Sequence, residues 1–404
     1  MSYPSTWTKV KFGEIAKRKS VRIDNPKESE YERYVGLEHL DSGELVVKRW
    51  GSTKDVSSNM QIFNKNDILF ARRNTYLKRI SVALFDGVCS GDIIVIEPIL
   101  NHIVEGFLPI YMQFKEFEDK VVAWSAGAFS KRIKWKQLSD FEIWIPSKEE
   151  QQKIVDIIWS VHDNQERIEN LIQVAVKLKG GLLEELLTKG IDHNKFKKTE
   201  LGEIPEEWEV HRLSEIIDTI GGGTPKTSEK SYWNGDIPWI SAEDISKEER
   251  YILNTVRSIS QKGLENSSTK VLEAQSIIIS ARGTVGLIGQ LIKPMAFNQS
   301  CYGLLAKGNV DPNYLYYLLK FKIDEIKQDA YGGVFNTITI KNFNYVKISL
   351  PSIKEQKLIV KILDSIYEFI QNNRIATNKI ILIKKNLANS FLSGELLIPK
   401  EVIT

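Results

Sequence analysis

Three runs of basic residues hold most of the chemistry in the first third of this chain: Lys17, Arg18 and Lys19 with Arg22; Arg72 and Arg73 through Thr75 to Lys78 and Arg79; and Lys131 with Arg132. One such run is usually no more than a solvated face. Three in a single domain, interleaved with Tyr76 and Trp135 and with hydroxyl and amide side chains, form the mixture that grips phosphates and reads base edges. Residues 200–350 offer less charge and more polar readout: Thr224, Lys226 and Lys230 after a triple glycine, then Arg282 and Thr284, Asn298 and Gln299, and Asn336 and Thr337. Arginine can hold guanine through two hydrogen bonds, and Asn or Gln can hold adenine the same way.

Catalytic patterns are missing. The sequence has no phosphate loop ending in Gly-Lys-Ser/Thr, no His-Glu-x-x-His, no paired Cys-x-x-Cys and no Gly-x-Ser-x-Gly. The adenine-methylating tetrapeptide, an Asn or Asp followed by two prolines and an aromatic, is also missing, and the five histidines are scattered. A nuclease would need acidic residues clustered with a lysine, and none stand out. The chain is therefore expected to bind rather than react, with no catalytic residue, metal or cofactor.

Composition is that of a globular protein: 404 residues, 42% hydrophobic and 26% charged, enough for two domains. Cys89 and Cys301 lie in apolar contexts and suggest reduced thiols, hence a cytoplasmic setting. No apolar window reaches a membrane span and no leader pattern is seen, so no membrane association is expected. The net charge of +3 is unevenly spread: residues 1–145 carry 22 Lys and Arg against 19 Asp and Glu, residues 200–350 carry 16 against 19. Nucleic-acid binding would then rest on local patches rather than a uniform field.

What positions these residues is a duplication. The segment from Ile145-Pro146-Ser147 through Glu150-Gln151 to Val155 returns as Leu350-Pro351-Ser352 through Glu355-Gln356 to Val360, so position 146 maps to 351, an offset of 205. Trp7 maps to Trp208, and Ile68 through Thr75 maps to Ile277 through Thr284. A period this long means that each copy is a globular domain with an attached helix. The first part of each copy alternates β-branched runs (around Val35, Val46, Leu69 and Ile94; around Ile237, Ile278 and Leu304) with turn signals and helical patches such as Tyr314–Leu319. These are α+β domains, placed at 1–145 and, with a linker, 191–350.

The second part is a long helix, expected over 146–190 and 351–396, with a tail at 397–404. Apolar residues step by three and four through Ile154, Ile158, Val161, Ile168, Ile172, Ala175 and Leu178, and through Leu363, Ile366, Ile370, Ile380 and Leu387, interrupted at Gln165 and Asn373. About 40 residues at ~1.5 Å each make a rod of roughly 60 Å, too long to lie under one small domain. The narrow stripes read as seams packed on each other as an antiparallel coiled coil, with the polar interruptions setting register.

The motif order resembles the specificity (S) subunits of type I restriction-modification enzymes. In the second half the resemblance is carried by Gly221-Gly222-Gly223-Thr224-Pro225, Tyr232-Trp233-Asn234-Gly235 leading to Ser241, Ser280-Ala281-Arg282-Gly283-Thr284-Val285-Gly286, Asn298-Gln299-Ser300, and Leu350-Pro351-Ser352 before Glu355-Gln356. In the first half it is carried by Tyr34-Val35-Gly36-Leu37-Glu38 and Ile145 through Gln151. The resemblance implies a non-catalytic reader of double-stranded DNA, with one half of a bipartite, asymmetric site per recognition domain. It also implies helices that set the gap and dock two methyltransferase subunits, with restriction subunits joining through the complex. The first copy departs from the pattern, having Arg73-Asn74-Thr75 for Arg282-Gly283-Thr284 and Ser90-Gly91-Asp92 for Asn298-Gln299-Ser300. Without the resemblance, a coiled-coil scaffold carrying two protein-binding domains is the alternative.

Overall fold

The computed structural model describes residues 3–125, 132–328 and 337–396. The chain forms two compact units, Met1–Leu171 with Asn373–Thr404, and Ile172–Asn372. The division falls inside both long helices, so each unit contains a globular domain with part of each helix.

In the first unit the β-branched runs form an antiparallel sheet in the order Ala16–Lys19, Ile93–Pro98, Ile68–Ala71, Ile80–Val82. Its second-unit counterpart has the order Ile217–Gly221, Cys301–Ala306, Ile277–Ser280, Ile288–Leu291, extended by Tyr251–Ile252. The run around Val46 was expected to be a strand. It makes only a single parallel bridge to Val82, whereas its counterpart Tyr251–Ile252 pairs over two residues. Each unit also closes on itself with a short two-stranded ladder, Thr8–Lys11 with Glu142–Ile145 and Glu209–Arg212 with Lys347–Leu350. The ladder brings the start of each domain beside the residues that launch its long helix.

The cores are aromatic and aliphatic. Phe12, Phe107 and Phe117 are buried with Ile94 and Ile96 in the first unit, and Trp208, Tyr314 and Phe343 with Ile277 and Ile279 in the second. Each such side chain fully withdrawn from water contributes about 1.5–3 kcal/mol. Helix Pro312–Gln328 contains the aromatic run Tyr314–Leu319 that the sequence marks as helical.

The long helices span Lys148–Thr188 and Ile353–Leu392. Soon after each comes a glycine with positive φ, Gly190 at 68° and Gly394 at 76°, the left-handed stop that glycine adopts without strain. In the first unit Ile154 and Ile158, near the start of one helix, share a core with Phe391 and Leu392 at the end of the other. In the second unit Leu186 and Leu187 share a core with Ile359 and Leu363. The two helices therefore pack antiparallel.

Of the seam residues, Ile154, Ile158, Gln165, Ala175, Leu363 and Ile370 are buried, while Val161, Ile168, Ile172, Ile366, Asn373, Ile380 and Leu387 are half-buried. Leu178, expected in the stripe, is exposed. The inward row instead advances by seven: Gln356, Leu363, Ile370, Thr377, Lys384 and Phe391 are all buried. A seven-residue repeat is what keeps one face of a helix against a supercoiled partner. Among the described residues no helix is long and apolar enough to cross a membrane.

Candidate nucleic-acid interface

The loops that follow the matched strands Ile68–Ala71 and Ile277–Ser280 differ by one residue in length but share a left-handed residue directly after the matched arginine. Asn74 (φ 53°) and Lys78 (φ 50°) are left-handed in the first, and Gly283 (φ 72°) and Gly286 (φ 85°) in the second. The replacement of the loop glycine in the first copy is thereby explained. Asn is one of the few residues with a Cβ that tolerates this region. The loops are anchored alike. The Arg72 N–H donates to Asp92 O at 3.0 Å and the Ile133 N–H to Arg72 O at 3.1 Å; the Ala281 N–H donates to Ser300 O at 2.7 Å and the Ile338 N–H to Ala281 O at 3.0 Å.

These bonds assign structural equivalents: Arg72 to Ala281, Arg73 to Arg282, Asp92 to Ser300 and Arg132 to Thr337. Strand pairing adds another, because Arg18 lies opposite Ile96 as Thr219 lies opposite Leu304. The three basic runs of the first domain thus converge in part. Arg132 pairs with Asp92 at 3.0 Å and Arg73 approaches it at 3.6 Å, with Arg18 and Arg72 alongside.

Other basic residues are engaged elsewhere. Lys17 pairs with Glu97 at 2.8 Å, and Lys19 with the buried Asp67 at 2.9 Å. Lys78 pairs with Glu118 at 3.0 Å and Asp119 at 3.3 Å, and Arg79 donates to Leu37 O at 2.7 Å. Thr75 is buried, its hydroxyl 2.6 Å from that of Ser125, so it holds the loop to helix Lys115–Ser125 rather than facing outward. Arg22 is exposed on the short strand Arg22–Ile23. Lys131 lies outside the described residues, as does Asn336.

In the second unit Arg282 and Thr284 are exposed, and Thr337 is half-buried beside them. Thr224 donates to Gln299 Oε1, joining two of the polar candidates. Asn298 Oδ1 accepts from the Ser300 N–H at 3.0 Å, so it shapes its own loop. Lys226 O accepts from Trp233 Nε1 at 3.3 Å, and Lys230 lies in the turn Lys230–Tyr232. The exposed Arg257, whose guanidinium lies 3.8 Å from the centroid of the Trp233 ring, was not foreseen. It is isolated in the sequence, and only the pairing of Trp233–Ile240 with Arg257–Ile259 brings it there. Asp92, which the sequence marks only as part of the departure at Ser90-Gly91-Asp92, lies at the centre of the basic cluster.

Among the described residues no group of three or more His, Cys, Asp or Glu side chains is placed to hold a metal ion. Both thiols are buried, which pushes their pKa values up, to about 12 for Cys301.

A family profile described as type I restriction modification DNA specificity domain matches the chain twice, over residues 4–178 and 205–382. The chain belongs to the type I restriction-modification specificity family. A putative type I restriction enzyme MjaX specificity subunit from Methanocaldococcus jannaschii is 29% identical over 377 residues, covering 89% of this chain and 86% of the relative. The HindI specificity subunit of Haemophilus influenzae is 24% identical, covering 97% of this chain and all of the relative. The MjaIX specificity subunit is 34% identical over 182 residues, but this match spans only 42% of that relative. A type I restriction-modification S subunit from M. genitalium has the same fold, with a TM-score of 0.59 at 16% identity, over 97% of this chain and 98% of that one. A chain from a study of complex assembly and conformational transition of the type I restriction-modification system gives 0.57 at 20% identity, over 98% of this chain and all of that one. The duplicated profile and the duplicated fold coincide, each copy comprising one recognition domain with its specificity-family helix.

Proposed function

We propose that this chain is the non-catalytic DNA-reading subunit of a type I restriction-modification enzyme. Each unit reads one half of a bipartite, asymmetric duplex site, and the helices set the gap and dock two methyltransferase subunits, with restriction subunits joining through that complex. The observation that carries this reading is the repeated loop, in which a left-handed residue, Asn74 in one copy and Gly283 in the other, directly follows Arg73 and Arg282 at equivalent places. A single fold used twice with different side chains suits a target whose halves differ in sequence. Exposed apolar residues along the helices, among them Val174, Leu178, Phe369 and Leu382, support a partner docked there.

The test is selection of bound duplexes from a random library by the purified chain, alone and with its methyltransferase partners, followed by affinity measurements over a range of salt. The expected result is two short conserved blocks separated by a fixed gap, and a steep fall in affinity as salt rises. Absence of selective binding in both preparations would overturn the reading and favour a protein-binding scaffold.

A further inference from the structure

The equivalence between the two recognition loops exposes a difference in charge. At five matched positions the first unit carries Arg18, Arg72, Arg73, Arg132 and Asp92, and the second carries Thr219, Ala281, Arg282, Thr337 and Ser300. Among the described residues Asp92 is the one acid placed among these four arginines. Asp92 takes up Arg132 and, more loosely, Arg73. Arg18 and Arg72 have no ion pair among the described residues, and the Nε of each is buried without a hydrogen-bond partner there.

Like charges do not gather without reason. Burial, then the Arg132 and Arg18 guanidinium groups, lowers the Arg72 pKa from its ordinary value, with Asp92 acting the other way. The guanidinium groups of Arg18 and Arg72 present forks of donors of the kind that match a phosphate or carboxylate.

We infer that Arg18, Arg72 and Arg132 form a seat for one phosphodiester group of the DNA backbone, present in the first recognition domain and missing from the second. Two units of one fold then bind their half-sites differently. The first is anchored by an ionic contact that releases counterions. The second has hydroxyl and methyl groups at the same places and a single arginine, Arg282. This inference rests on the DNA-reading function proposed above.

Ala281 and Thr219 show that the fold accepts neutral residues at two of these positions, so the test substitution is Arg18→Thr with Arg72→Ala in the full chain. One phosphate contact contributes about 0.9 to the slope of log affinity against log salt. The variant should lose about that much slope, so that its affinity falls about 3.5-fold less than the unsubstituted chain's between 50 and 200 mM salt. Duplexes with a single neutral methylphosphonate, scanned along the site, locate the contact without any substitution. One position in one half-site should weaken the unsubstituted chain and leave the variant unaffected. This scan also serves if the variant fails to fold.

An unchanged slope in a folded variant, or a scan with no such position, would overturn the inference while DNA binding stands. If instead the unsubstituted chain bound no DNA, the DNA-reading function itself would fall. Free inorganic phosphate is the other source of this chemistry. A saturable rise in Tm with phosphate at constant ionic strength, lost in the variant while the DNA slope stays the same, would assign the seat to free phosphate and overturn the inference.

Discussion

Gln151 and Gln356, both fully buried, make the same three hydrogen bonds in the two units. Gln151 Nε2 donates to Pro146 O at 2.9 Å and His102 O at 3.0 Å, and its Oε1 accepts from the Val104 N–H at 3.0 Å. Gln356 Nε2 donates to Pro351 O at 2.9 Å and Asn309 O at 3.0 Å, and its Oε1 accepts from the Asp311 N–H at 2.8 Å. Each amide ties the first turn of a long helix to the loop that precedes the next helical segment of its own domain. A side chain with both a donor and an acceptor is needed, so the Pro-Ser-x-x-x-Gln spacing has a structural cause.

Replacing either glutamine by alanine strands buried backbone groups, each costing about 1–3 kcal/mol. Gln151→Ala and Gln356→Ala should each lower the unfolding free energy by more than 2 kcal/mol on that scale. Chemical denaturation monitored by circular dichroism will show it, and a loss below about 0.5 kcal/mol would mean the network is not structural.

Arg250 should matter still more to the second unit. It is fully buried, pairs with Asp364, donates to Gln290 at 2.7 Å and Asn313 at 2.6 Å, and lies 4.8–5.0 Å from the ring centroids of Tyr251, Tyr316 and Tyr317. Asp364 is on the second long helix, so this arginine fastens the recognition domain to it. Asp364 is partly exposed and can be rehydrated, but emptying a fully buried site of this size costs about 2–5 kcal/mol. Arg250→Ala is expected to cost that much in denaturant unfolding, and Arg250→Lys to recover little, because lysine cannot supply the planar fork of donors.

His162 gives the first unit an acid limit. Its side chain is buried, and burial, followed by the nearby Lys384 and Lys48 charges, lowers its pKa to about 4, against the opposing pull of Asp163 and Glu169. The folded state therefore binds this proton less readily than the unfolded chain does. The stability it contributes is complete above the unfolded value, about 6.5, and is lost as pH falls toward 4. At about 1.4 kcal/mol per pKa unit the full effect is roughly 3 kcal/mol. His162→Phe should flatten that limb of the unfolding free energy between pH 6.5 and 4; an identical pH profile in the variant would assign the acid sensitivity to other groups.

The fold was readable where its signals are local or duplicated. The two long helices and the strands around Leu69, Ile94 and Ile278 follow from periodicity, because burial repeats along the chain, and glycine marks the helix ends. Lys384 escaped notice because a lysine interrupts an apolar pattern. Its ammonium nevertheless donates to Gln165 Oε1 at 2.8 Å within the seam, and burial lowers its pKa. The candidate interface was only partly readable for a different reason. Lys17 and Arg18 are neighbours in sequence, but alternation along a strand points them to opposite faces, one toward Glu97 and the other toward the Arg72 cluster. Only the strand pairing distinguishes a neutralised lysine from an available arginine.

The left-handed pair Asn74 and Gly283 yields the last prediction, which concerns how Arg282 is aimed. At φ 72° a side chain with a Cβ is strained by about 1–2 kcal/mol, asparagine less than most and β-branched residues more. Gly283→Asn copies the first unit and should leave DNA selectivity intact. Gly283→Val should relieve its strain by rebuilding the loop, displacing Arg282. Its effect should then match Arg282→Ala: loss of about 1–3 kcal/mol of discrimination in one half-site. The other half-site should be unaffected, and the salt slope should change less than in the Arg18 and Arg72 variant, because a base contact releases no condensed counterion. Affinities for duplexes carrying single base changes in each half will decide this. Unaltered discrimination in Arg282→Ala would remove this loop from base reading, and equal behaviour of the Asn and Val variants would show that its backbone shape does not aim the arginine.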